Sequence, residues 1–217
     1  MPTHRTLPKT ASVALPTDNG KLHAPSAVRN GGATVEVLAG FAPQKGRALE
    51  IASGTGEHML RFAAAFPALR WQPTDIEPAR LQSIAAWCGE ASLTNVKTPV
   101  ILDATVQGWS KNFGEQNLIF LSNLLHLISA AEAQTVIDES AKALAPGGLF
   151  VAYGPFLRGE GFASVSDREF DESLRAGAPE IGYKSFESIQ RLQAKAGLAV
   201  LAPIAMPANN LLLVAKS

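Results

Sequence analysis

The chain has 217 residues, 47% of them apolar and 18% charged, which suits a packed globular domain rather than a disordered or fibrous protein. Lysine plus arginine equals aspartate plus glutamate at 19 each, so no net positive field gathers nucleic acid or anionic lipid. Cys88 is the only cysteine, which excludes an intramolecular disulfide and a Cys-pair zinc site, and no metal-ligand set is read elsewhere.

Residues 1–23 are polar, punctuated by Pro2, Pro8 and Pro16, and contain no apolar run suited to a signal peptide or membrane span. They read as a flexible arm before a single domain over 24–217, with the cytoplasm as the expected location. Ser26 is the expected cap of a helix carrying Val28, Val35 and Leu38, which Gly31 and Gly32 weaken. Arg47 to Ala52 reads as a strand, Glu57 to Phe66 as a helix and Leu69 to Thr74 as a second strand, together a βαβ unit. Pro78 opens the next helix, which carries Leu81, Ile84, Ala85 and Cys88.

Pro99 to Leu102 and Asn117 to Leu121 are short apolar runs of the kind buried on both faces of a sheet. Ser129 caps a helix through Leu144, ended by Pro146-Gly147-Gly148, and Leu149 to Tyr153 is a fifth strand. Gly159 to Tyr183 has no clean period and reads as an irregular, lid-like insertion before a helix over Ser185 to Ala196. Leu198 to Ala205 and Asn210 to Ala215 form two strands joined by a turn containing Pro207. The alternation predicts a Rossmann-like, doubly wound α/β fold: a mostly parallel, seven-stranded sheet, helices on both faces and an antiparallel C-terminal hairpin.

The run Glu50-Ile-Ala-Ser53-Gly54-Thr-Gly56 leaves the first strand of that unit and opens a helix, where glycines let a ligand approach backbone N–H groups at a positive helix end. Met59 stands where a dinucleotide fingerprint requires its third glycine, which disfavours NAD. Asp75, just past the second strand, is placed to accept hydrogen bonds from ribose hydroxyls, or else caps the following helix. Asp103 is placed to accept an exocyclic adenine amine, with Ile76 and Ala104 against the base, or else is a turn aspartate. Asn123 and His126 follow the fourth strand at the same edge, where Asn123 is expected to contact the cofactor and His126 is a general-base candidate or a structural histidine.

In this order, Ala48 to Gly56, Thr74-Asp75-Ile76, Leu102-Asp103-Ala104, Leu144 to Gly148 and the terminal hairpin resemble a class I, seven-stranded S-adenosylmethionine (SAM) dependent methyltransferase. Arg29-Asn30, Trp71 to Asp75, Tyr153-Gly-Pro-Phe156 and Met206 to Asn210 further resemble a small methyltransferase-like family whose domain was long labelled as of unknown function. The resemblance implies SAM as cofactor and S-adenosylhomocysteine as product. Ala52, Gly54 and Gly56, in one run with Glu50 and Ser53, would hold the methionine part, Asp75 the ribose and Asp103 the adenine. Ala52 departs from the glycine common in that superfamily, and its methyl narrows the approach to the backbone. Arg29 and Asn30 fall on the segment that covers the cofactor in such enzymes, where they would hold the SAM carboxylate or an acidic substrate.

Methyl transfer from a sulfonium is an in-line displacement, so alignment and desolvation matter more than a nucleophile on the protein. The acceptor is expected among His126, Tyr153, Phe156, Arg158, Asn209 and Asn210, although Tyr153 and Phe156 also fit a core and the two asparagines a turn. A small molecule is the expected partner, without nucleic acid or membrane; the oligomeric state stays open. The competing readings are a protein methyltransferase, a SAM-binding or protein-interaction domain without catalysis, and an NAD-dependent oxidoreductase.

Overall fold

The structure is a computed structural model that describes residue 8 and residues 11–159 and 161–217, with only the backbone of Asp18. Most of the amino-terminal half of the expected arm, including Pro2, therefore lies outside the described residues.

From Ala11 onward that segment is not loose. Strands β1 (Leu15–Pro16) and β2 (Leu22–His23) pair as a small antiparallel hairpin around a turn at 18–20. Leu22 N–H donates to Ser83 Oγ at 2.8 Å, and Trp87 Nε1–H donates to the Leu22 carbonyl at 3.0 Å. Lys21 lies over the Trp87 ring and pairs with Glu90. Helix α1 (Pro25–Ala39) starts one residue earlier than its expected cap, because Pro25 takes the first helical position and Ala24, not Ser26, is the N-cap. Gly31, expected to weaken that helix, is where it meets α2: a Cβ there would lie 2.7 Å from Arg61 Cδ.

The chain continues through β3 (Gly46–Ile51), α2 (Glu57–Ala65), β4 (Leu69–Asp75), α3 (Pro78–Glu90), β5 (Val100–Ile101) and β6 (Gln116–Ser122). It then forms α4 (Ala130–Ala143), β7 (Leu144–Pro155), α5 (Val165–Gly177) and α6 (Phe186–Lys195). Strands β8 (Ala199–Val200), β9 (Ile204–Ala205) and β10 (Asn210–Lys216) complete it. The sheet order is β5-β4-β3-β6-β7-β10-β8, with β9 also on β10. Strands β3 to β7 pair in parallel, whereas β10 is antiparallel to β7, β8 and β9. This is the doubly wound, mostly parallel sheet with an antiparallel carboxyl-terminal pair that the alternation predicts.

Because β3 lies between β4 and β6, the connections leave it in opposite directions, and the ligand crevice of such a sheet opens at its carboxyl end. Alternation along the strands sends Leu118, Phe120, Leu212 and Val214 into one core with residues of α1, α2 and α3. Ile119, Leu121, Leu211 and Leu213 enter the other, with residues of α4 and α6.

Four expectations change. The run 99–102 becomes a two-residue edge strand with Ile101 65% exposed, rather than a strand buried on both faces. Helix α4 passes directly into β7 at Leu144, and Pro146-Gly147-Gly148 lies inside β7 where the register with β6 shifts. A Cβ on Gly148 would stand 2.7 Å from the Gln116 carbonyl, so glycine is required at that bulge. The segment 159–183 contains α5, a helix with few apolar positions whose N-cap Ser164 accepts from Asp167 N–H. The run 198–205 is split in two around Pro203, which has no N–H to give to the sheet.

Gly56 is the left-handed N-cap of α2 (φ 95°), and a Cβ there would lie 2.8 Å from the Ile84 Cα of α3. Gly56→Ala is expected to lower unfolding free energy by about 2–3 kcal/mol. Gly32→Ala, in open space on α1, is expected to raise it by up to about 1 kcal/mol. Urea denaturation of both variants measures this, and an unchanged midpoint for Gly56→Ala refutes the close-approach argument.

Candidate functional site

The loop leaving β3 is made of left-handed turns: Ala52 (φ 53°), Gly54 (φ 61°) and Gly56 (φ 95°). It is tied to β4 by Ser53 N–H donating to the Thr74 carbonyl at 2.8 Å and by Thr74 N–H donating to Ser53 Oγ at 3.2 Å. Thr74 Oγ1 donates to the Glu50 carbonyl at 2.8 Å. Ala52 is the one position in the turn where an L side chain bears the left-handed conformation, at a cost of about 1 kcal/mol. Its methyl packs against the core under α4.

The same loop receives the acid of β4. Gly54 N–H donates to Asp75 Oδ2 at 2.9 Å, and Glu77 N–H donates to Asp75 Oδ1 at 3.1 Å. Each carboxylate oxygen keeps a second lone pair free for a hydroxyl, which is what a ribose diol requires. Burial raises the Asp75 pKa above its usual range, and the Arg80 charge and the two N–H bonds oppose that rise.

Glu50 is 2% exposed, and its Oε2 has no hydrogen-bond partner among the described residues. Burial pushes its pKa up to about 8 against the opposing hydrogen bond of Ser53, and the negative charge of Asp75 adds to the rise. A buried carboxyl group with one oxygen unpartnered, at the end of β3, is chemically suited to a ligand ammonium group.

Two residues here escaped the sequence reading. Arg80, on the first turn of α3, donates from Nη2 to Ser12 Oγ at 2.7 Å and pairs through Nε with Glu77 at 3.2 Å. Its Nη1 lies 3.6 Å from where a Cβ of Gly54 would be, so it covers the loop from outside. Glu57 accepts from Thr55 Oγ1 at 2.9 Å and Ala24 N–H at 2.7 Å, and meets His23 Nδ1 at 3.0 Å. An acid in the first turn of α2 and a base five residues after Asp75 are the available signals, and neither says which segment it meets.

The adenine-side residues divide. Leu102 N–H donates to the Asp75 carbonyl, which brings Asp103 alongside. Asp103 Oδ1 accepts from the Thr105 N–H and hydroxyl. Ile76 is 58% exposed and offers an open apolar wall. Ala104, expected to press on the base with it, is instead in the core beside Leu102 and Trp109, its carbonyl held by Trp109 Nε1–H.

Asn123, left-handed at φ 55°, donates its N–H to the Tyr153 carbonyl at 2.9 Å and stands beside Gly154. Tyr153 is buried with Arg29 and Asn210 near its hydroxyl, and burial raises its pKa to about 12, so near neutrality it is a proton donor and not a base. Asn30, next to Arg29, is buried in α1, and its carbonyl accepts from Thr34 Oγ1.

His126 lies under α5, with the rings of Phe170 and Tyr183 at 5.8 and 5.9 Å. Burial, then the charge of Lys184, lowers its pKa to about 3, so it stays neutral and is a weak base in this conformation. Phe156 belongs to the core and does not line an open site. Arg158 donates to the Asn209 carbonyl at 3.3 Å, and Asn209 Nδ2 donates to Asp167 of α5 at 3.1 Å. Asn210 Nδ2 donates to the Pro207 and Ala208 carbonyls, so both asparagines also build the turn. Among the described residues no cluster of three or more His, Cys, Asp or Glu side chains suits a metal ion, and no helix is long and apolar enough to cross a membrane.

Solved structures share this fold. An O-methyltransferase family protein from Burkholderia thailandensis superposes with a TM-score of 0.75 at 19% identity, covering 88% of this chain and 57% of its own. An O-methyltransferase family 2 protein from Planctomyces limnophilus, in complex with apigenin, gives 0.76 at 19% identity with the same coverages. PigF, solved with SAH, gives 0.70 at 16% identity, covering 85% of this chain and 54% of its own. The chain therefore spans little more than half the length of these proteins, and at this identity the likeness establishes the class I methyltransferase fold. A family model described as "Protein of unknown function (DUF938)" matches residues 21–217, and the chain belongs to that family.

Proposed function

We propose that the chain binds SAM at the carboxyl end of β3 and transfers its methyl group to a small-molecule acceptor. The observation that carries this reading is the buried Glu50 carboxyl, its Oε2 without a partner among the described residues, beside the left-handed loop and Asp75. Glu50 would take the ammonium of the amino-acid part, Asp75 the ribose hydroxyls, and Asp103 with Ile76 the adenine. When bound, the cofactor supplies an electrophilic methyl on a sulfonium. Ser53 and Thr74 hold the loop against β4, and the glycine turns leave room for close approach of the ligand.

Tyr153 and Arg29 would bound the acceptor side, offering a hydroxyl donor and positive charge to an acceptor oxygen, while Asn210 builds the turn beside them. Neither His126 nor Tyr153 takes up a proton near neutrality in this conformation, so the acceptor attacks as an already ionised or intrinsically nucleophilic group. A small molecule fits relatives such as the P. limnophilus protein, which was solved with apigenin.

Calorimetric titration with SAM tests the reading. Saturable binding that weakens by about tenfold or more in Asp75→Ala is expected; a folded protein that binds no SAM overturns it. Because a ligand ammonium requires the ionised form of Glu50, binding below about pH 8 releases a proton. Affinity should rise from pH 6 to about 8, then fall as the ligand amine itself deprotonates. Titrations at pH 6.5 in buffers of different ionisation enthalpy count that proton.

Glu50 also imposes a stability cost on the empty protein. Its folded pKa is raised, so the folded state holds a proton that the unfolded chain loses from about pH 4.5 upward. Stability therefore falls as pH rises from about 4.5 to 8 and levels off above. Glu50→Gln is expected to be more stable than the parent by on the order of 2 kcal/mol at pH 9, with little difference at pH 5, and to lose SAM binding. Chemical denaturation at the two pH values reads the difference directly.

A further inference from the structure

At the opposite end of the sheet from the glycine loop, the amino ends of β3 and β4 border a cleft of about 110 Å³ lined in part by Arg47, Arg70, Gln72, Lys97, Phe113 and Gln116. We propose that this cleft binds a phosphate group carrying or adjoining a hydroxyl, as in free hydrogen phosphate or a phosphorylated polyol.

Arg47 and Arg70 are register partners on adjacent parallel strands, so their side chains leave the sheet on the same face side by side. Like charges in that relation repel. Lys97 joins them because its own N–H is fixed to the Trp71 carbonyl at 2.9 Å, one residue along β4 from Arg70. None of the three cations is paired with a carboxylate among the described residues, and no acid lines the cleft; Glu115, between two lining residues, is exposed and outside it. A dianion is the partner that turns this repulsion into attraction.

Gln116 fixes the chemistry further. It is 6% exposed, and its Nε2 donates to the Phe113 and Gly114 carbonyls at 2.9 and 3.2 Å. Those two bonds orient the amide so that Oε1 is the acceptor left over, and it has no partner among the described residues. Among the arginine and lysine donors of the cleft, this buried acceptor, together with the Gln72 oxygen left over by that amide's two N–H bonds, calls for a ligand hydroxyl. The volume corresponds to about four waters, room for a phosphate group. The site is separate from the SAM crevice: Arg70 and Asp75 are five residues apart along β4, about 16 Å at strand spacing.

The test is titration of the full chain with inorganic phosphate, methyl phosphate and glycerol 3-phosphate at constant ionic strength, followed by amide shifts of Lys97 and Gly114. At neutral pH methyl phosphate is largely a dianion with no hydroxyl, so it should bind at least fivefold more weakly than the other two. The relative strength of inorganic and glycerol phosphate tells which source the site prefers. The exposed double variant Arg47→Gln/Arg70→Gln should weaken phosphate binding at least tenfold while leaving SAM binding intact. Equal response to methyl phosphate and chloride, or unmoved Lys97 and Gly114 amides, overturns the proposal. So does a steeply salt-dependent response to single-stranded RNA alone, which would make the cleft a general polyanion surface.

Discussion

The approach of α2 to α3 at Gly56 is the constraint on which the site rests. With no side chain at that position, the N-cap of α2 settles against the backbone of Ile84, and the loop from Ala52 to Gly56 closes in left-handed turns. That closure brings Gly54 N–H to Asp75 and Ser53 to Thr74, so two adjacent strands present their chemical groups at one point. The position of β3 between β4 and β6 then leaves the point open at the crevice. Helix packing and strand order converge there because one residue lacks a Cβ.

Much of this was legible in the residues because local rules and tertiary packing agree. Ser129 and Glu132 form the reciprocal cap that their types suggest, and Pro78 stands in the first turn of its helix. Glu50, Gly54 and Asp75 could be named because their places at strand ends follow from the alternation alone. What was not legible depends on contacts between distant segments. Arg80 became part of the site by reaching Ser12, and Glu57 by receiving Ala24 and His23. Helix α5 escapes a reading by apolar runs because its core contacts come from few positions, chiefly Phe170 and Leu174 one turn apart, although Ser164 caps it and the pair marks one face. Missing it also hid the fate of His126, whose surroundings are set by residues of that region.

The candidate site combines charged groups held out of water with groups held neutral. Asp75 is supported by N–H donors and by Arg80, whereas Glu50 has little support and carries its proton in the empty protein near neutrality. His126 and Tyr153 are likewise neutral, each from burial. Such a site offers shape and donors more than proton exchange, which suits a reaction in which alignment and exclusion of water do most of the work.

The place of β10 has a consequence for how the sheet is made. It lies inside the sheet, with β7 on one side and β8 and β9 on the other, although it follows all of them in the chain. During synthesis the long edge of β7, with Phe150, Val151 and Ala152 in the two cores, has no partner until residues 210–216 emerge. The α6 region and the edge pieces β8 and β9 must wait in position or fold back once that last strand inserts. A ribosome pausing shortly before Asn210 would therefore expose an open, apolar strand edge, the kind of surface that other chains and chaperones recognise.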